Sequence, residues 1–226
     1  MNPVRTQLVK MGLGDGIRIV DGIASDGTEF EIELTAGVFA EFDVAVSSFD
    51  FFAADFLVGL PVHIRRGALS GRVRLYHQSS HLGDDILGRD DIVLEEQGGY
   101  DFEAVEVSAG WLYSGFYPYL GAEYRFRRTP EPQDASVFHL GVVATRPSSI
   151  SRTVGLIGGV HATFSENGAG TTGFSGRAGL EWLRKGRDGV NRPLRILVEG
   201  RHGNAGAGRF FRLERTSFGV VLEIGR

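Results

Sequence analysis

Between Glu29 and Val44 the chain alternates between apolar and polar residues. One face reads Phe30, Ile32, Leu34, Ala36, Val38, Ala40, Phe42 and Val44; the other reads Glu29, Glu31, Glu33, Thr35, Gly37, Phe39, Glu41 and Asp43. Successive side chains of an extended strand point to opposite sides, so a period of two over this length is a β-strand with one apolar and one polar face. The pattern recurs. Ala54, Phe56, Val58, Leu60, Val62 and Ile64 oppose Asp55, Leu57, Gly59, Pro61, His63 and Arg65. Leu69, Gly71, Val73 and Leu75 oppose Ser70, Arg72, Arg74 and Tyr76. Further strands are expected near 101–113, 116–127, 137–145, 153–164, 173–182, 193–201 and 211–224.

Alternation of this kind has two architectural solutions. A soluble barrel or sandwich turns the apolar face inward, whereas a membrane barrel turns it outward to lipid. Three features favour the membrane solution. Many of the strands reach the roughly 10 residues that a tilted strand needs to cross a bilayer. The polar faces mix both signs of charge, with Arg72, Arg74, Arg125, Arg127, Arg177, Arg195 and Arg201 set against Glu123, Glu181 and Glu199. Such a set predicts a lumen filled by ion pairs. Connections also alternate in length: short at Arg66–Ala68 and Ser114–Gly115, longer at 80–99, 128–136, 165–172 and 203–209. One end of the barrel is therefore tight and the other elaborated.

The expected fold is all-β: an antiparallel up-and-down transmembrane β-barrel of about ten strands, within roughly eight to twelve, in a bacterial outer membrane. Residues 29–226 form the barrel, and residues 1–28 form an N-terminal periplasmic arm, a plug or extra strands, with Gly16 to Val20 as a short strand candidate. Met1 to Gly16 lacks the apolar stretch and cleavage site of a signal peptide. Gly12-Leu13-Gly14-Asp15-Gly16 is no phosphate loop, because no βαβ unit follows. Trp111, Tyr113, Tyr124 and Trp182 suit an outer aromatic girdle, and His63, His139 and His161 suit lumen hydrogen bonds.

Composition narrows the function classes. The 226 residues contain no cysteine, which excludes disulfides and thiolate metal sites. With 24 basic and 28 acidic residues, the net charge of −4 gives no electrostatic case for nucleic acid. No apolar run of about 18 residues suggests a membrane helix. Sixteen phenylalanines and 33 glycines against 7 prolines fit a strand-rich chain.

One stretch does not read as barrel filler: Tyr76-His77-Gln78-Ser79-Ser80-His81-Leu82-Gly83-Asp84-Asp85. His77 and Ser79 fall on the face of Val73 and Leu75, the face assigned to lipid. Polar groups there cost free energy unless they pair or sit at the interface. An imidazole beside a serine can accept its proton and raise its nucleophilicity. Geometry offers Glu103 or Asp101, on the next strand's lipid face, to orient His77. Ca²⁺ is the candidate cofactor, at Asp84 and Asp85 with Asp90 and Asp91 nearby, where it could polarise an ester carbonyl. Zinc would need His77 and His81 together, yet four residues apart on a strand they are about 13 Å apart.

His77-Gln78-Ser79 resembles the His-Gln-Ser of outer-membrane phospholipase A and the His-x-Ser of the lipid A deacylases. In those families the pair faces the membrane and meets lipid esters, and a further polar or acidic residue orients the histidine. If it comes from the loop about a dozen residues on, the resemblance implies Asp91, twelve positions after Ser79, while the phospholipase's following asparagine is Ser80 here. A second resemblance covers about residues 30 to 128. It rests on Phe39-Ala40-Glu41-Phe42-Asp43, Ala54-Asp55-Phe56-Leu57-Val58-Gly59-Leu60-Pro61 and the run from Arg72 to Asp84. These segments look like the uncharacterised domain-of-unknown-function group 1207, which implies an exported barrel and supplies no activity. Three readings follow. The first is a lipid-ester hydrolase with Ser79 as nucleophile and His77 as base, whose partners are the bilayer and its outer-leaflet lipids. The second is a non-enzymatic barrel, structural or a narrow channel. The third is a soluble barrel that binds an apolar ligand inside.

Overall fold

A computed structural model of the chain describes residues 7–45, 49–85, 100–129, 134–147, 153–166, 173–185, 191–204, 208 and 214–225. It is all-β. The strands are β1 (Leu8–Ile23), β2 (Glu29–Asp43), β3 (Asp50–Arg66), β4 (Leu69–Leu82), β5 (Tyr100–Trp111), β6 (Phe116–Thr129), β7 (Ser136–Pro147), β8 (Val154–Ser165), β9 (Gly173–Lys185), β10 (Asn191–Asn204) and β11 (Glu214–Ile224). They form one curled antiparallel sheet in which every strand pairs with its sequence neighbours. The up-and-down order follows from the short connections, which leave each strand no nearer partner than the one before it.

The strand count is eleven because the N-terminal stretch joins the sheet. β1 runs along β2 from the Leu8–Asp43 pair to the Ile23–Glu29 pair. A bulge between Arg18 and Val20 shifts its register, which hides the alternation in the sequence. The β1–β2 turn is closed by the Thr28 amide donating to Asp26 Oδ1 at 3.1 Å. Hydrogen bonds from the Thr28 side chain and amide hold the Asp26 carboxyl below its usual range.

The two faces of the sheet are inverted relative to a soluble protein. The outward face carries the apolar residues: Phe56, Val58, Leu60, Val73, Leu75, Val105, Val107, Leu120, Leu140 and Val160 are all exposed. The concave face buries Glu41, Asp43, Asp55, Glu106 and Arg125 around a small cluster of Tyr76, Tyr100, Phe102 and Ala104. Outward aromatic residues gather near both ends. Trp111, Tyr113 and Phe116 are exposed at the tight end; Phe126, Phe138, Phe164 and Phe174 are exposed toward the loop end. Phe164 and Phe174 meet edge to face, with ring centroids 6.1 Å apart. Tyr124 stands with the loop-end group, one outward position from Phe126.

Antiparallel order with an odd count makes β1 and β11 run the same way, both from the loop end to the tight end. Among the described residues no ladder joins them. The sheet edges are instead drawn together at the loop end by side chains. Glu41 on β2 takes Lys10 of β1 at 2.7 Å and Arg215 of β11 at 3.2 Å. Gly208, between β10 and β11, reaches across to β3 and donates its amide to both Asp55 oxygens, at 3.1 and 2.9 Å.

Glycines set how closely the strands and inward side chains can pack. A Cβ on Gly179 would stand 2.0 Å from the Ile196 carbonyl oxygen, a backbone atom that cannot yield. Gly219 has nothing within 4 Å of such an atom. Gly179→Ala is therefore expected to lower stability by about 1–3 kcal/mol, and Gly219→Ala to change it by less than about 0.5 kcal/mol. Urea unfolding of the two variants, followed by tryptophan fluorescence, measures the difference.

Candidate functional site

The candidate nucleophile and base lie on β4. Tyr76 and Ser80 of this strand are buried on the concave side. The period of two therefore turns His77 and Ser79 outward, as their sequence position implied. The β4–β5 ladder sets His77 opposite Glu103 and Ser79 opposite Asp101. His77 Nδ1 comes to 3.5 Å from Glu103 Oε1. Of the three residues weighed to orient His77, Glu103 is the one the sheet brings to it. Asp101 faces Ser79, and Asp91 lies outside the described residues.

A bulge completes the cluster. The β5–β6 register shifts between Glu103 and Ala104, so Ala104 pairs with Arg125 while Glu103 pairs with Arg127. Two arginines that share parity in the sequence are thereby split. Arg125 is buried on the concave side, and Arg127 turns outward with Nε 3.5 Å from Glu103 Oε2. Arg127 is thus not part of the lumen network that alternation alone assigned to it. Ser79 makes no side-chain hydrogen bond among the described residues. The histidine is aligned with its carboxylate, and the serine stands beside it on the same open face.

The cluster's height on the wall is informative. Below it the outward residues are apolar: Leu69, Val73 and Leu75 on β4, Val105, Val107 and Trp111 on β5, Leu120, Tyr124 and Phe126 on β6. One outward step beyond Leu75 and Val105 the polar residues begin, with His77, Ser79, Glu103, Asp101, Arg127 and Thr129.

A second outward cluster escaped the sequence reading. His202 on β10 places Nδ1 2.9 Å from Thr216 Oγ1 and Nε2 3.1 Å from Glu214 Oε1, both on β11. His202 lies on a glycine-rich strand end, so only the β10–β11 register identifies its partners.

Of the carboxylates suggested for Ca²⁺, Asp84 and Asp85 are described, whereas Asp90 and Asp91 lie outside the described residues. Among the described residues no group of three or more histidines and carboxylates is placed to hold a metal. Asp85 commits Oδ2 to the Phe51 amide at 2.9 Å, tying the end of β4 to β3. β4 stays extended through Leu82, so His77 and His81 remain apart.

The concave face is a network of charge pairs. Glu106 accepts the guanidinium groups of both Arg72 and Arg74. Glu123 accepts Arg125 Nε at 2.6 Å and the Tyr76 hydroxyl. Arg195 reaches Glu181 at 2.7 Å and Glu223 at 3.3 Å. Arg177 shares Glu199 and Glu223. The histidines contribute too: His161 Nδ1 lies 2.8 Å from the Tyr119 hydroxyl, and His139 Nε2 is 4.0 Å from Glu106. Removing one partner of a buried pair strands the other charge. Glu106→Ala is expected to cost about 3–5 kcal/mol, because it leaves two arginines uncompensated. Glu214→Ala, with a carboxylate 71% exposed, is expected to cost less than about 1 kcal/mol. Urea denaturation midpoints of the two variants test the contrast.

The chain matches the family described as "Protein of unknown function (DUF1207)" over residues 13–225 and belongs to that family. No curated protein and no solved structure matches it.

Proposed function

We propose that this member of the DUF1207 family is an outer-membrane barrel protein whose outer wall carries a serine lipid-ester hydrolase site. The observation that carries the reading is the coincidence of His77, Ser79 and Glu103 on the outward face, where polar residues replace apolar ones on β4 and β5 while Val58 and Phe56 of β3 continue the apolar wall beside them. From Trp111 to Val105 is about 20 Å along the strand, which at the ~40° tilt of such strands spans about 15 Å of the ~25 Å apolar band of outer-membrane barrels. Residues just above such a band lie at the depth of lipid ester bonds. The chemistry and the location therefore agree.

The division of labour follows from the contacts. Glu103 stands at Nδ1 of His77, which leaves Nε2 for the serine. Ser79 Oγ attacks the acyl carbonyl while His77 Nε2 takes its proton. The tetrahedral intermediate collapses as the same proton passes to the departing alcohol. Water, deprotonated by His77, then attacks the acyl-serine and releases the fatty acid. Glu103 stabilises the imidazolium formed in both halves. Nucleophile and base need not touch in the free enzyme, because such bonds commonly tighten once substrate is bound. An acyl chain lying along Leu75, Val105 and Phe126 would bring its ester to Ser79 without leaving the membrane.

Ser79→Ala is expected to abolish fatty-acid release from mixed micelles of phospholipid and lipopolysaccharide. His77→Ala and Glu103→Gln should each lower it by about 10²–10⁴-fold. A fluorophosphonate probe should label the wild type and not Ser79→Ala. A wild-type chain that releases no fatty acid, with or without Ca²⁺, and takes no label would defeat the hydrolase. It would favour the non-enzymatic reading, with which the absence of a Ser79 hydrogen bond also agrees.

A further inference from the structure

Two cavities lie against the concave face. The larger, about 750 Å³, runs from Gly208 at the loop end to His63 and Ser70 toward the tight end. The smaller, about 510 Å³, lies against β7 to β10 and reaches Val143, Arg195 and Glu223. They share Tyr119, His161, Ser175 and Arg201. These four residues lie on one rung of the sheet. Arg201 pairs with Ser175, Ser175 with His161, His161 with Gly141, and Gly141 with Tyr119. Gly141 is what lets the rung close: Tyr119 lies across it, 2.5 Å from where a Cβ would be, to reach His161. Both spaces are lined by this rung, their common waist, and the larger one by itself spans the height of the sheet.

The charge at the waist differs from that of the paired arginines on the face; Arg128, at the loop end, donates to the Arg125 carbonyl and also has no carboxylate partner among the described residues. Arg72, Arg74, Arg125, Arg177, Arg195 and Arg215 each contact a glutamate. Arg201 has no carboxylate partner among the described residues, and its neighbours along the rung are hydroxyl groups and an imidazole. A paired arginine presents little net field to a passing ion. An unpaired guanidinium in a polar passage with protein walls concentrates anions and repels cations.

We propose that the concave face is a permeation path for small anions, with Arg201 as its selectivity-determining residue. The inference rests on the membrane part of the reading above and is independent of the hydrolase site. Anions of the size of chloride, phosphate or a short carboxylate fit the chemistry of the waist, where Tyr119, Ser175 and His161 can donate hydrogen bonds beside the guanidinium.

The test is the reversal potential of the full chain in planar lipid bilayers under a potassium chloride gradient. Insertion of each variant is checked beforehand by protease protection in liposomes. The wild type is expected to reverse on the chloride side. Arg201→Gln should move the reversal potential to zero, and Arg201→Glu should give it the opposite sign. Protein that inserts but carries no current overturns the path. Protein that conducts with the same reversal potential in both variants overturns the role of Arg201. In either case the membrane reading stands. A chain that does not insert into bilayers overturns both.

Discussion

Charges on the concave face have been removed from bulk water on one side and must find counter-charges on neighbouring strands. Glu106 shows how the sheet meets this demand. Arg72 and Arg74 reach it from the adjacent strand, and His139 approaches from two strands away on the other side. Its partners therefore come from two different strands, β4 and β7, and the pairing specifies register as well as offsetting desolvation. A slip of one residue would turn each of these charges to the apolar side. Ion pairs of this kind add little net stability compared with a well-packed apolar core, but breaking one is costly. Their value here is specificity: they make the inside-out arrangement of the faces the only arrangement with its charges matched.

The same constraint explains where the sheet edges meet. β1 and β11 are parallel, and no ladder joins them among the described residues. Glu41 nevertheless gathers Lys10 and Arg215 from the two edge strands, and Asp55 takes the Gly208 amide across the same end. Side-chain electrostatics hold the loop end of the curl in place. The outward edges remain apolar, with Phe218 82% and Leu13 77% exposed. Large apolar surfaces of this extent mark contact with lipid or with another chain.

Much of this fold is legible in the sequence because its faces differ so strongly. Glu29 to Asp43 alternates with Phe39 as the one large apolar residue on its polar face, and β2 spans those residues. The places where legibility fails are the bulges and the glycine-rich strand. β1 alternates Leu13 and Ile17 with glycines rather than with charges, and its bulge after Arg18 inverts the pattern midway. The bulge at Glu103 has a larger effect at the site. Alternation assigns Arg125 and Arg127 to one face, whereas one extra residue in β6 sends them to opposite faces. Choosing among Asp91, Asp101 and Glu103 likewise needed the β4–β5 register, which a period of two cannot supply. Thr216, His202 and Glu214 depend on register in the same way.

The position of Arg127 decides how strongly Glu103 can serve His77. The carboxylate has two suitors, each 3.5 Å from a different oxygen. Arg127 always carries its charge, so it would win in a uniform medium. The medium at this height is not uniform. Arg127 is 76% exposed, against 43% for His77 and 27% for Glu103. An exposed charge is screened by water and ions, and pairs of this kind are worth about 1 kcal/mol or less. The His77 contact lies closer to the apolar wall formed by Val105 and Leu75, where attraction to a developing imidazolium is less screened. Arg127 therefore meets Oε2 of Glu103 without competing for the oxygen that faces the histidine. Oε1 of Glu103 is left to His77 Nδ1, the alignment on which the proposed hydrolase depends.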